Sequence, residues 1–335
     1  LPIGQAASLD LNGASDQLIL DADADTTISA DTDDQIDIKI GGTDALRITG
    51  TALTGNALAT IGATGTASSL AGIPFFSDTT NGSMYTHDVS GTDSTAVSNT
   101  AYGLTALDAI TTGDLNTIMG HAAATALDSG AENVAIGANS MAAATSAGQN
   151  TCVGYNSGAA LSTGALYNVL LGHGAGLAMT SGNRNVAIGV SAMDGFDTEQ
   201  HNIGIGVSAL GGSVAGGEYN VAIGNYSLDA VTSGDNNVAV GYNAGTAATT
   251  SGYNTFIGGS AGDTIVSNSN DNGYNVCVGY GSDGRSGSDG SVFIGANAVS
   301  GQNDARFELV LGSSISGQGQ DTFTFGRGTT DTSID

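Results

Sequence analysis

A five-residue motif, Asn-x-x-x-Gly, returns along this chain at a nearly fixed interval, and that interval most constrains what it can fold into. Copies begin at Asn99, Asn116, Asn133, Asn150, Asn168, Asn185, Asn202, Asn220, Asn237, Asn254 and Asn275, with degenerate copies at Ser291 and Glu308. The thirteen starts lie 17 or 18 residues apart, except for one gap of 21 and one of 16. A unit of that size carries one apolar triplet and cannot bury a core alone, so consecutive units must stack. The expected fold is all-β, a parallel β-solenoid with one motif per coil. Thirteen coils at the strand spacing of ~4.8 Å make a rod on the order of 60 Å long.

Side chains alternate between the two faces of each triplet. The third position holds Ile136, Val153, Leu171, Ile188, Ile205, Ile223, Val240, Ile257, Val278 and Ile294, and the first holds only Val, Thr, Ile or Leu. These two positions share a face, and the expectation is that they form the coil core. The middle position then points outward. It holds Ala135, Cys152, Leu170, Ala187, Gly204, Ala222, Ala239, Phe256, Cys277 and Phe293, and no copy places a polar residue there. A strand apolar on both faces is covered on both. One thin coil cannot cover its own outside, so the middle row is expected to be the interface of an obligate homotrimer.

The ends of the motif have their own physics. The closing Gly suits a corner with positive φ or a crowded backbone. Asn tolerates left-handed geometry at the preceding corner, and stacked Asn side chains can bond to one another from coil to coil. After Gly comes x-x-Ser/Ala and often a second apolar residue (Met141, Met193, Leu210, Leu228), read as a short second strand, and a Ser/Thr/Gly turn closes the coil.

The composition agrees with brief strands and many turns. Glycine occurs 53 times, proline twice, Lys39 is the only lysine, and glutamate stands only at 132, 199, 218 and 308. The net charge of −26 opposes binding to nucleic acid or to anionic membrane surfaces. No apolar stretch approaches the ~20 residues that a membrane-spanning helix needs. Leu1 opens the chain with neither a methionine nor a signal peptide, as expected of a processed or excised part of a longer chain.

"NVAIG" followed by x-x-Ser/Ala resembles the head repeat of trimeric autotransporter adhesins, a repeat also found in bacteriophage fibres, over residues 99–312. The resemblance implies a left-handed parallel β-roll assembled as a trimer. Residues 1–50, with "DQLILDADADTTISADTDDQIDIKIGGTDALRITG" at 16–50, resemble segments of phage tail-fibre proteins. They read as an Asp-rich β stalk with strands at 18–20, 27–29, 36–40 and 45–48. Residues 51–98, which include "GIPFF", read as a linking region, and 313–335 as a C-terminal cap in which "TFTFG" is a variant coil. The expected function is that of a structural and adhesive virion fibre. Its N-terminal part would meet other virion proteins and its solenoid a host cell-surface receptor. The alternatives are the head of a bacterial trimeric adhesin and a polysaccharide-degrading tailspike.

Other motifs are weaker. "GIGVSA" at 204–209 fits a dinucleotide fingerprint but is one copy of the repeat with no helix behind it. Asp21, Asp23 and Asp25 alternate and could collect calcium, yet an EF-hand's Gly and closing Glu are missing and solvated turn aspartates are the plainer reading. Cys152 and Cys277 stand seven coils apart and read as small buried hydrophobes. A glycosidase needs two carboxylates facing one groove, and nothing singles out such a pair. No enzyme activity, cofactor or membrane insertion is therefore expected. The one long interval, "SAGDTIVSNSNDNGY" at 260–274, marks an inserted loop and a possible binding face.

Overall fold

The computed structural model describes strand segments within residues 17–86, together with residues 95–212, 216–265 and 273–328. The chain divides into two compact units, Leu1–Asp88 and Val89–Asp335. In the first, Gln17–Ile19, Thr27–Ser29, Gln35–Ile40, Thr43–Thr49 and Leu53–Thr54 pair in sequence as an antiparallel meander. The expected strands of the Asp-rich segment are present, each within one or two residues of its expected bounds. The span expected as a linker also holds strands, because Ser68–Leu70, Ile73–Asp78 and Ser83–Tyr85 form a second antiparallel run. Asp21, Asp23 and Asp25 lie outside the described residues.

The second unit is the expected parallel β-solenoid. Fourteen short strands, from Thr100–Tyr102 to Phe323–Arg327, each pair in parallel and in register with the strand one coil away. Ala135 thus faces Cys152 and Cys152 faces Leu170. "TFTFG" supplies the fourteenth strand, so the variant coil at the C-terminal end is real.

The corner after each strand is where glycine is obligatory. Gly137 has φ +130°, a region closed to L side chains, and a Cβ there would sit 2.4 Å from the Gly154 carbonyl oxygen of the next coil. The left-handed residue at the other end is not the Asn. It is the residue before it, such as Glu132, Tyr167, Arg184 or Tyr219, all with φ near +60°. Nor does the x-x-Ser/Ala stretch form a second strand. Left-handed residues at Asn139 and Met141 make it a run of turns, which still stacks on its neighbours through bonds such as Met141 N–H to Ser157 O at 3.0 Å.

The two faces of the strand are the reverse of the expectation. Ala135, Cys152, Leu170, Ala187, Ala222, Ala239, Phe256, Cys277 and Phe293 are 0% exposed within a single chain, and Gly204 is buried with them. The middle row is therefore the coil core and is inaccessible to a partner. The row assigned to the core lies outside: Ile136, Val153, Leu171, Ile188, Ile205, Val240 and Val278 are half-buried, and Ile223, Ile257 and Ile294 are exposed.

Volume is the physical reason. The interior holds one side chain from the strand, one from the turn six residues later and another nine residues later, such as Leu127, Leu161, Met179 and Phe196, and in several coils the first two compensate in size. Small Ala135, Ala187 and Gly204 are matched by Met141, Met193 and Leu210, whereas large Leu170 and Phe256 are matched by Gly176 and Gly262. A Cβ on Gly176 would lie 2.8 Å from Leu170 Cδ1, and one on Gly262 2.2 Å from Phe256 Cδ1. Two β-branched residues per strand would not fit into so narrow a tube.

Beside this core runs a ladder of buried asparagines. Each Asn from 116 to 275 donates its backbone N–H to the Oδ1 of the Asn one coil earlier, as in Asn185 to Asn168 and Asn202 to Asn185, both 3.0 Å. Most Nδ2 groups also bond a carbonyl of the closing turn, for example Asn133 to Ala147 O at 2.8 Å. Ser291 and Glu308 extend the ladder with other side chains: Ser291 N–H meets Asn275 Oδ1 at 3.1 Å, and Glu308 N–H meets Ser291 Oγ at 3.1 Å. The buried Glu308 carboxylate accepts from Gly319 N–H and the Ser300 hydroxyl, both at 2.7 Å. Stacked amides were expected, and they leave the motif's buried polar groups satisfied.

Candidate functional site: an outward sheet face with aromatic borders

Turning the strands over changes which surface is available. The outward face is built from the first and third motif positions, among them Val134 and Ile136, Val186 and Ile188, and Val221 and Ile223. Across the thirteen coils from Asn99 to Glu308 these rows contain no charged residue, although the chain carries 38. A strip about 10 Å wide and ~60 Å long presents on the order of 600 Å². That is the upper end of what monomers leave uncovered and close to the ~800 Å² per partner of a standard interface.

Aromatic side chains border this strip on both sides. Seven of the ten tyrosines stand either just before the ladder Asn (167, 219, 253, 274) or just after the corner Gly (155, 242, 280). All seven are exposed, Tyr280 by 67%. Coil stacking brings them against neighbours in the same row. His201 and Tyr219 stack at 4.9 Å, Tyr253 and Tyr274 at 5.0 Å, Tyr155 meets His173 at 5.2 Å, and the Arg184 guanidinium lies 5.3 Å from the Tyr167 ring centre. Such contacts are worth about 0.5–1.5 kcal/mol each and hold the rings in place along the rod. These borders were missed from the sequence, although the recurring "YN" pair was there to be read.

Burial pushes the thiols of Cys152 and Cys277 well up, and both are free cysteines inside the coil, as expected. Residues 204–209 are a strand and its corner, with no helix following. Of the long interval at 260–274, residues 266–272 lie outside the described residues. Among the described residues, no three metal-binding side chains converge and no helix is long and apolar enough to cross a membrane.

Asp283 gives a pH prediction. It is 7% exposed and receives the Thr264 hydroxyl on Oδ2, and its Oδ1 has no partner among the described residues. Burial, with Asp263 nearby, raises its carboxyl above the ordinary 3.8. The folded state therefore holds the proton more tightly than the unfolded state does, and stability falls as pH rises from near 3.8 through the raised value. Asp283→Asn should shift the urea midpoint upward near neutral pH and give no gain below the ordinary carboxylate range. A gain that is the same at both pH values would remove ionisation of Asp283 as its cause.

No protein-family model matches the chain, and neither a curated protein nor a solved structure matches it.

Proposed function

We propose that this chain is a structural and adhesive fibre subunit, assembled as a homotrimer in a bacteriophage virion and acting in attachment to the host surface. The observation that carries the reading is the uncharged outward strip on a chain of net charge −26. A parallel sheet is normally covered on both faces, and a second copy of the same chain is the simplest cover. The strip is two residues wide and its two edges differ, so the edge of first-position residues on one copy meets the edge of third-position residues on the next, with the tyrosine border before the Asn left outside the contact. Head-to-tail pairing of unlike edges closes as a ring, and three narrow strips facing one axis fill it without a channel. A stacked solenoid with its long axis set by a hydrogen-bonded ladder suits a fibre that must stay straight, and the side chains on its turns remain available for recognition. The antiparallel strands of the first unit, in the segment that resembles phage fibre sequences, would serve attachment to other virion proteins.

Light scattering on the purified chain should give three times the 32.8 kDa subunit mass, unchanged on dilution into the nanomolar range. A stable 32.8 kDa species at micromolar concentration would sink the trimer and with it the fibre assignment.

A further inference from the structure

Three consecutive coils line a groove of about 430 Å³ with Ser233, Asp235, Thr250, Ser251, Tyr253 and Tyr274. That volume lies within the ~300–1,000 Å³ of small-ligand sites. The groove is lined by turn residues that precede the ladder Asn, and none of them belongs to the two rows of the strip assigned to assembly. One wall is the stacked pair Tyr253 and Tyr274, ring planes 7° apart and both exposed. Asp235 engages Oδ1 with the Glu218 N–H at 2.7 Å, which fixes the carboxylate at the rim. Ser251 is buried, and its hydroxyl has no partner among the described residues.

We propose that this groove binds a neutral oligosaccharide, an inference that rests on the attachment reading above and gives it a receptor class and a site. A pyranose has an apolar C–H face and a hydroxyl edge. The first packs on an exposed aromatic ring, and the second hydrogen-bonds a carboxylate and hydroxyl groups. The groove offers both, on neighbouring coils. The coil spacing of ~4.8 Å is close to the length of one linked pyranose, so a chain laid along the rod meets equivalent groups on successive coils. Charge decides which sugars fit. Asp235 lies in the groove, Asp289 accepts the Gly273 N–H at 3.2 Å just behind it, and the whole chain carries −26, so sulfated, phosphorylated or carboxylated sugars are repelled. Strand addition by a peptide is closed off, because the strands beside the groove are already paired on both sides.

Calorimetry on the full chain with cellohexaose, maltohexaose and chitohexaose, and with hexagalacturonate as the anionic probe, tests this. Tyr253 and Tyr274 have φ of +60° and +61°, so Asn, which tolerates that geometry, is the substitution that removes the ring and keeps the backbone. At least one neutral probe should bind, and Tyr274→Asn and Tyr253→Asn should each weaken it about tenfold or more. Tyr167→Asn, in the same row but away from the groove, should bind normally, with all three variants first shown to have the assembly state of the parent. Failure of every neutral probe, equal binding of hexagalacturonate, or equal losses in Tyr167→Asn would overturn the site. If Tyr274→Asn loses the sugar but adsorbs to cells as well as the parent, the groove stands and the attachment reading falls.

Discussion

Ala222→Asp should prevent the solenoid from folding, whereas Ile223→Asp, one residue along the same strand, should leave it folded and monomeric. Ala222 is 0% exposed in a tube shared with Leu228, and no described basic side chain reaches the interior. An aspartate there must either ionise without a partner or bury a protonated carboxyl, and it overfills the space as well. Leaving one uncompensated charge inside costs on the order of 3–5 kcal/mol, a large share of the ~5–15 kcal/mol that holds a typical domain folded. Ile223 is 39% exposed and faces away from the tube, so its replacement changes no interior contact. In the assembled fibre, however, three copies would bring three carboxylates to one level near the axis, out of water and close together. Circular dichroism should therefore report loss of structure for the first variant only, and light scattering a subunit-sized particle for the second. If Ala222→Asp were the soluble, folded variant, the faces described here would be exchanged.

That pair of residues also shows what could be read from the sequence and what could not. The period, the parallel in-register stacking, the Gly corner and the coupled asparagines follow from spacing and backbone chemistry alone. The inward face does not follow from alternation, because a three-residue strand has only two parities and both are apolar here. The deciding information is longer in range. In several coils position two of the strand and the residue six places on trade volume, as Leu170 does with Gly176 and Ala187 with Met193. Outward positions show no such trade, and they admit threonine at 100, 117, 151 and 255, as a wet or interfacial row would. The left-handed residue was misplaced by one for a related reason. Asn is the usual tenant of that geometry, but here its side chain is needed inside, and the strained backbone passes to an outward residue whose identity is free. That freedom is what lets Tyr, His and Arg collect in the border row, so the recognition chemistry proposed for Tyr253 and Tyr274 stands on positions the fold leaves open.

The ladder itself should fail in a graded way. Asn185→Ala removes four bonds: Nδ2 to Glu199 O at 2.7 Å, to Asn168 Oδ1 at 3.3 Å and, weakly, to Met179 Sδ at 3.8 Å, and the Oδ1 that accepts from Asn202 N–H at 3.0 Å. The Asn202 N–H and the Glu199 carbonyl are then left buried in a wall with no path for replacement by the backbone. At roughly 1–3 kcal/mol for each stranded group, the loss is about 2–6 kcal/mol, comparable to a core truncation. Asn185→Ser should lose distinctly less. The chain already places a serine in this row at 291, where its Oγ accepts the Glu308 N–H at 3.1 Å, and a serine at 185 would restore the acceptor for Asn202 while leaving only the carbonyl unmet. Because each coil touches only its neighbours, the damage should begin locally, with amide exchange rising first between residues 168 and 220 before the array unfolds. Urea midpoints ordered parent, Ser, Ala, with exchange centred on the altered coil, are the expected result. An alanine variant as stable as the parent would mean that backbone stacking alone holds the coils and that the buried amides merely occupy the wall.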